Sequence, residues 1–348
     1  MATAIPIATG RSATGIPTGK LALWWVIGSE IVIFGGLLAS YLMMRLMYDS
    51  WSDAASHTNT VAGAINTFIL LTSSLFAVLA HNAAERGKGP LAAGYLVLTI
   101  GGGLSFLVVK AIEWTGEISH GFTITTNTFW SFYYTACGLH GLHVIGGMTC
   151  MGIIAYDAVR GKNLQRVEYV GLYWHFVDIV WIFLFPLIYI AKLGETEMSE
   201  GNAAHKHNGP GHHHEPHAPI YYVKIWALLL VLLIVSITGP MLGNKVLTLI
   251  TAFGIAVVKA LIVAAFFMHL NVEKKYIWYV LMTMLTAVAI FYFGVAADVQ
   301  KYHGSNWTKP ASYKYDEDMK KAHEAGGHGG EHGAEHGAEA GATHGAAQ

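Results

Sequence analysis

Among the ionisable side chains inside long apolar runs of this chain, Glu30, His175, Asp178 and Lys259 carry the sharpest signals. Charge in hydrocarbon is expensive, so each needs a partner, a water-filled cavity or a function such as proton exchange. Glu30 lies about ten residues into the first run, after Gly28 and Ser29. Left ionised and alone it is unstable there. It reads either as a site of proton exchange or lipid contact, or as a hydrogen-bonded glutamate packed between helices. His175 and Asp178 sit one helical turn apart in Y-W-H-F-V-D-I-V-W. At i, i+3 they can satisfy each other or bond an adjacent helix, and the imidazole type also admits a haem ligand. A charged Lys259 near mid-span costs roughly 2.5–3.5 kcal/mol on insertion scales. It must snorkel, lose its proton or find a carboxylate on a neighbouring chain.

Other polar residues carry weaker signals. His140 and His143, in G-L-H-G-L-H, share a helix face at i, i+3. That spacing permits joint metal ligation, but a site needs further ligands at the same depth, and the adjacent glycines suit close helix packing instead. Asn66 begins the second run and His81 ends it; residues so placed cap helices or meet lipid headgroups. Glu113 and Glu117 close the third run at i, i+4, where they form either a cation site or a solvated helix end. Glu168, Leu172, His175, Ile179 and Ile182 line one face of the fifth run, with Trp174, Asp178 and Trp181 beside it. His269 closes the F-F-M-H-L pattern at a span end and reads as interfacial.

The elements that position these groups follow from composition. Of 348 residues, 53% are hydrophobic and only 12% charged, and the apolar residues fall in runs long enough to cross a bilayer as helices. The fold class is therefore an all-α integral membrane protein with about eight transmembrane helices. Hydropathy marks them near 21–46, 62–82, 91–112, 128–157, 169–191, 221–242, 246–270 and 276–297. A net charge of -1 without long basic clusters excludes nucleic acid as a partner. Two cysteines, Cys137 and Cys150, with no C-x-x-C pattern, exclude covalent c-type haem and thiolate zinc.

Five domains are expected: a segment over 1–20, a five-helix module over 21–193, a His-rich linker over 194–219, a three-helix module over 220–298 and a polar His/Gly-rich tail over 299–348, the last expected to be disordered. Lys and Arg of the short loops collect on one side of the first five spans, as Arg11, Lys20, Arg86, Lys88, Arg160, Lys162 and Arg166, which makes that side cytoplasmic. Five spans then put the linker outside, and an eighth returns the tail to the cytoplasm. In that arrangement Lys274 and Lys275 face outward, against the charge rule.

Taken together, S-E-I-V-I-F from Ser29, N-T-x-x-L-L from Asn66 with His81, Glu113, G-L-H-G-L-H-V from Gly138 and the run from Glu168 to Trp181 resemble subunit III of haem-copper cytochrome c oxidases, in its five-span bacterial form. The region from about 218 to 298 resembles the small three-span subunit IV of bacterial oxidases, through Lys259 and the pattern ending in His269. The resemblance implies a subunit with no catalytic residue, no bound metal and no redox centre of its own, haem and copper belonging to subunits I and II. It implies phospholipid as the bound cofactor, and oxidase subunits I and II and membrane lipids as partners, with a respiratory supercomplex as a further partner. Glu30 matches the family's buried, carbodiimide-reactive carboxylate, which modulates the complex. Asn66, His81, Glu113, His140, His143, Glu168, Trp174, His175 and Asp178 are the family's polar positions, expected to serve packing, lipid or subunit contacts. The implied location is a bacterial cytoplasmic (inner) membrane, multi-pass. A metal or cation transporter is the rival reading, motivated by 19 histidines; a membrane cytochrome is a third, resting on His140, His143 and His175.

Overall fold

The computed structural model describes residues 16–47, 51–190, 219–238, 250–270 and 273–299. Among them the secondary structure is helical: α1 Thr18–Met47, α2 Trp51–Ser56, α3 Thr60–Glu85, α4 Gly89–Ser119, α5 Thr128–Val159, α6 Gln165–Phe185, α7 Pro219–Thr238, α8 Ile255–Ile262 and α9 Lys275–Val299. Among the described residues seven helices are long and apolar enough to cross a membrane. The expected seventh span is shorter, a helix Ile255–Phe267 with π turns at Ile250–Gly254 and Val263–Phe267. The linker expected over 194–219 lies almost wholly, and the tail over 299–348 beyond its first residue, outside the described residues. Met1–Gly294 form one compact unit, and a second begins at Val295.

Local chemistry sets the helix ends. Asn59 caps α3 by accepting from the backbone N–H of Val61 and Ala62, both at 3.1 Å, and Asn127 caps α5 by accepting from Trp130 at 3.0 Å. Gly87 and Gly161 take positive φ just beyond α3 and α5, where an L side chain would be strained. Pro186 has no N–H to donate into α6, and the chain continues as a π turn over Pro186–Ile190.

α6 is the axis of the fold, with 83% of its apolar window buried. Its polar atoms are met by α3, whose residues 60, 67 and 74 recur every seven positions and so share one face. Thr60 Oγ1 donates to the Tyr189 carbonyl at 3.3 Å, and Trp181 Nε1 donates to Thr67 Oγ1 at 3.0 Å. Two turns further along α3, Trp174 Nε1 donates to Ser73 Oγ at 3.0 Å, and Ser74 Oγ lies 2.7 Å from His175 Nδ1. Bonds of this kind join helices where apolar contact alone gives little selectivity. Trp174 also needs notches: a Cβ on Gly103 would fall 2.8 Å from its ring, and one on Gly147 3.0 Å.

The bundle has two ends. At one, Lys20 bonds Glu168 of α6 at 2.6 Å and also pairs with Glu273, just ahead of α9. His81 of α3 faces His269 there, ring centroids 5.6 Å apart, and Tyr222 of α7 lies 6.2 Å from the same ring. At the other end, Tyr189 meets Thr60 and the α4–α5 side chains described below. α7 and α9 therefore start at the Lys20 end. α9 runs parallel to α1, for Gly28 packs on Val280 and Met284 and Gly35 on Val288.

In the structure the start of α9 stands beside the start of α1, whereas the parity of the span count puts it at the other end. Lys274 and Lys275 join Lys20 on one side, and the ion pair between Lys20 and Glu273 is what holds them there. The residues just ahead of α9 then follow the charge rule. Residues 191–218, which join the two modules, lie outside the described residues.

Candidate functional site

Three polar layers cross the first module. The middle one holds Glu30, whose Oε2 lies 2.9 Å from His143 Nε2. His143 Nδ1 lies 2.8 Å from the Leu139 carbonyl, an atom that only accepts, so Nδ1 carries hydrogen. Nε2 and Oε2 are left to share one proton, as imidazolium with carboxylate or as imidazole with carboxylic acid. Phe34 closes the site with its ring 5.0 Å from His143. Both side chains keep slight exposure, 17% and 16%.

The layer at the Tyr189 end was only partly expected. Glu113 is buried, not solvated. Its Oε1 accepts from Tyr133 at 2.8 Å and Tyr189 at 2.7 Å, and its Oε2 accepts from Lys110 at 3.1 Å. Lys110 also bonds the Tyr189 hydroxyl, and its ammonium lies 4.9 Å from the Tyr133 ring centroid and 5.5 Å from that of Trp181. The cation-site reading of Glu113 with Glu117 fails here because the cation is Lys110, from the same chain. Lys110, Tyr133 and Tyr189 were missed at the sequence level. The available signal was a lysine three residues before a glutamate inside an apolar run.

The third layer, at the Lys20 end, brings together Glu168, His81, His175 and His269 around a small cavity completed by Val78, Gly171, Leu172 and Phe267. His81 pairs weakly with Glu85, at 3.4 Å. His269 adopts a positive φ of 54° where the Val263–Phe267 π turn ends.

Five expected residues take other places. His175 bonds Ser74 instead of Asp178. Asp178 lies beside the same hydroxyl, which has a single hydrogen to give, and neither carboxyl oxygen finds a hydrogen-bond partner among the described residues. His140 is fully buried between Phe106 and Trp181, each ring 5.3 Å away; both of its nitrogens, and both side-chain polar atoms of Asn66, likewise lack partners among the described residues. Lys259 is 2% exposed and does not snorkel. No described carboxylate reaches it. Among the described residues no group of three or more His, Cys, Asp or Glu side chains is placed to hold a metal.

Long apolar helices, a carboxyl–imidazole pair at the bundle's edge and a second helical module packed against the first define a multi-pass membrane protein. Known proteins place it further. The model of the family "Cytochrome c oxidase subunit III" matches residues 12–192, and that of "Prokaryotic Cytochrome C oxidase subunit IV" matches residues 223–294. The chain is 34% identical over 173 residues to cytochrome c oxidase subunit 3 of Corynebacterium diphtheriae, covering 48% of this chain and 84% of that protein. Against the protein of the same name from Bacillus sp. (strain PS3), identity is 33% over 190 residues, covering 53% and 92%. A probable cytochrome c oxidase subunit 3 of Mycobacterium tuberculosis (strain ATCC 25618 / H37Rv) is 33% identical over 174 residues, covering 48% and 84%. The chain belongs to the cytochrome c oxidase subunit III family and carries a subunit IV-like module in the same polypeptide. It is a multi-pass bacterial membrane protein and one subunit of a terminal oxidase complex.

Proposed function

We propose that this chain serves its oxidase as a modulatory subunit without a redox centre, with Glu30 and His143 as its proton-sharing position. The observation that carries this is the 2.9 Å contact between Glu30 and His143 at the slightly exposed edge of the bundle. A carboxyl so held exchanges protons without opening the core. Haem and copper reside in subunits I and II, which this chain contacts and stabilises, while phospholipid covers its apolar outer faces. Those faces are extensive, with Val26, Ile33, Leu104, Leu142 and Ile153 all exposed, and apolar surface of that extent needs lipid or protein against it. The location is the cytoplasmic membrane, and a respiratory supercomplex is a further setting for the same complex.

Purification tests the assignment. Solubilised gently by a tag on this chain, the protein should bring down a haem- and copper-bearing partner, and the chain isolated from it should show no visible absorbance. A haem spectrum from the isolated chain would sink the reading. Metal transport by the chain alone in liposomes would favour a transporter, the reading that the histidine-rich sequence motivates.

A further inference from the structure

We infer that the subunit IV-like module clamps α1 and thereby holds Glu30 against His143. The inference rests on the proposed role of that pair and gives the second module a task in it.

Successive residues of a helix turn by about 100°. Gly28 and Gly35, seven apart, therefore share a face, while Glu30 lies about 200° from Gly28, on the opposite one. The Gly28 and Gly35 face meets α9. A Cβ on Gly28 would lie 3.3 Å from Met284 Cγ, and one on Gly35 would lie 3.1 Å from Val288 Cγ1. Backbone and side chain thus touch at two levels because neither position has a side chain to keep them apart. The opposite face carries Glu30 to His143, with Phe34 edge-on to Phe176 at 6.4 Å. α1 is pressed between the two modules. Its start is tied to both at once, since Lys20 bonds Glu168 of the first module and Glu273 of the second.

Small residues alone would mark only a close packing. Here the partner helix is seated on them, and an ion pair between the same modules fixes its register. Remove the pressure of α9, and α1 is free to turn or tilt Glu30 away from His143 towards lipid.

Labelling of Glu30 by dicyclohexylcarbodiimide, read by mass spectrometry in the intact purified complex, reports that change. The carboxyl oxygen adds to the central carbon of the reagent and the carboxyl proton passes to a nitrogen, so a carboxyl released from His143 into lipid reacts faster. His143→Gln, which breaks the pair directly, should raise the labelling rate. Lys20→Met and Gly35→Leu, which leave the pair intact and loosen the clamp, should each raise it about threefold or more. A positive control for the contact itself comes from Gly35→Cys combined with Val288→Cys. The Cβ at position 35 stands 3.7 Å from that of Val288, within the range of about 3.5–4.5 Å for disulfides. Oxidised, this variant should form the cross-link and keep labelling at the wild-type rate even with Lys20→Met added; reduced, it should label faster.

Wild-type labelling in Lys20→Met and Gly35→Leu, with fast labelling in His143→Gln, would overturn the clamp and leave the pair standing. Wild-type labelling in all three would overturn the pair and the clamp together. Failure of the cysteines to cross-link would overturn the contact. If Gly35→Leu does not accumulate, the oxidised and reduced forms of the cysteine variant decide.

Discussion

Two carboxylates in this bundle are held in opposite ways. Glu113 is surrounded: two phenols and an ammonium bond its two oxygens, and aromatic rings close over the ammonium. Among the described residues Glu30 has one hydrogen-bond partner, an imidazole whose other nitrogen is occupied by a backbone carbonyl. A saturated carboxylate cannot change its proton without breaking several bonds, and it works as a fastening between α4, α5 and the end of α6. A carboxylate with a single titratable partner can trade a proton at little cost. Position within a membrane span is therefore a poor guide to function until the partners are counted.

The contrast rests first on where the ends of the bundle lie, and the largest expected effect is all-or-none. Single cysteines at Lys88 and Lys275, in a background where Cys137 and Cys150 are replaced, should react with an impermeant thiol reagent from the same face of sealed vesicles. Reaction from opposite faces would separate Lys275 from Lys20 and remove the ion pair on which the orientation of the second module depends.

Next in size is Glu113→Ala. It strands Lys110 among apolar rings, and breaking a buried ion pair costs about 3–5 kcal/mol. Recovery of the subunit and its melting temperature in detergent should both fall sharply. A loss below about 1 kcal/mol would place Glu113 with the exchangeable groups and dissolve the contrast.

Asp178 sharpens it from a third side. Unpartnered among the described residues, it has no bond to lose, and Asp178→Asn should leave recovery and melting unchanged within about 0.5 kcal/mol. Asp178→Ala opens space beside Ser74 and should cost about 1–3 kcal/mol, with lower recovery and less retained lipid. Equal, normal recovery and lipid content for both variants would show that the side chain is idle.

Much of this was legible beforehand. Helical membrane architecture followed from run length, and Glu30 stood out as a carboxylate in apolar surroundings, with His143 and Glu168 as weaker signals. What could not be read was pairing. Glu30 and His143 are 113 positions apart, and no local periodicity connects them. His175 and Asp178 looked like partners because they share a helical turn, but the hydroxyl that settles His175 comes from α3, 101 residues away. The π turns escaped notice as well, since their sequences, PLIYI and VAAFF, are ordinary apolar helix. For the second module the span count and the Lys274–Lys275 pair pointed to opposite orientations, and the ion pair between Lys20 and Glu273 sides with the lysines.

Oxygen consumption by the assembled complex carrying Glu30→Gln, followed from the first turnovers through prolonged cycling, tests the central claim most directly. A modulatory carboxyl predicts a normal initial rate, normal subunit recovery and a faster decline as turnover continues. Complete loss of the initial rate in a normally assembled complex, or a decline indistinguishable from wild type, would contradict it.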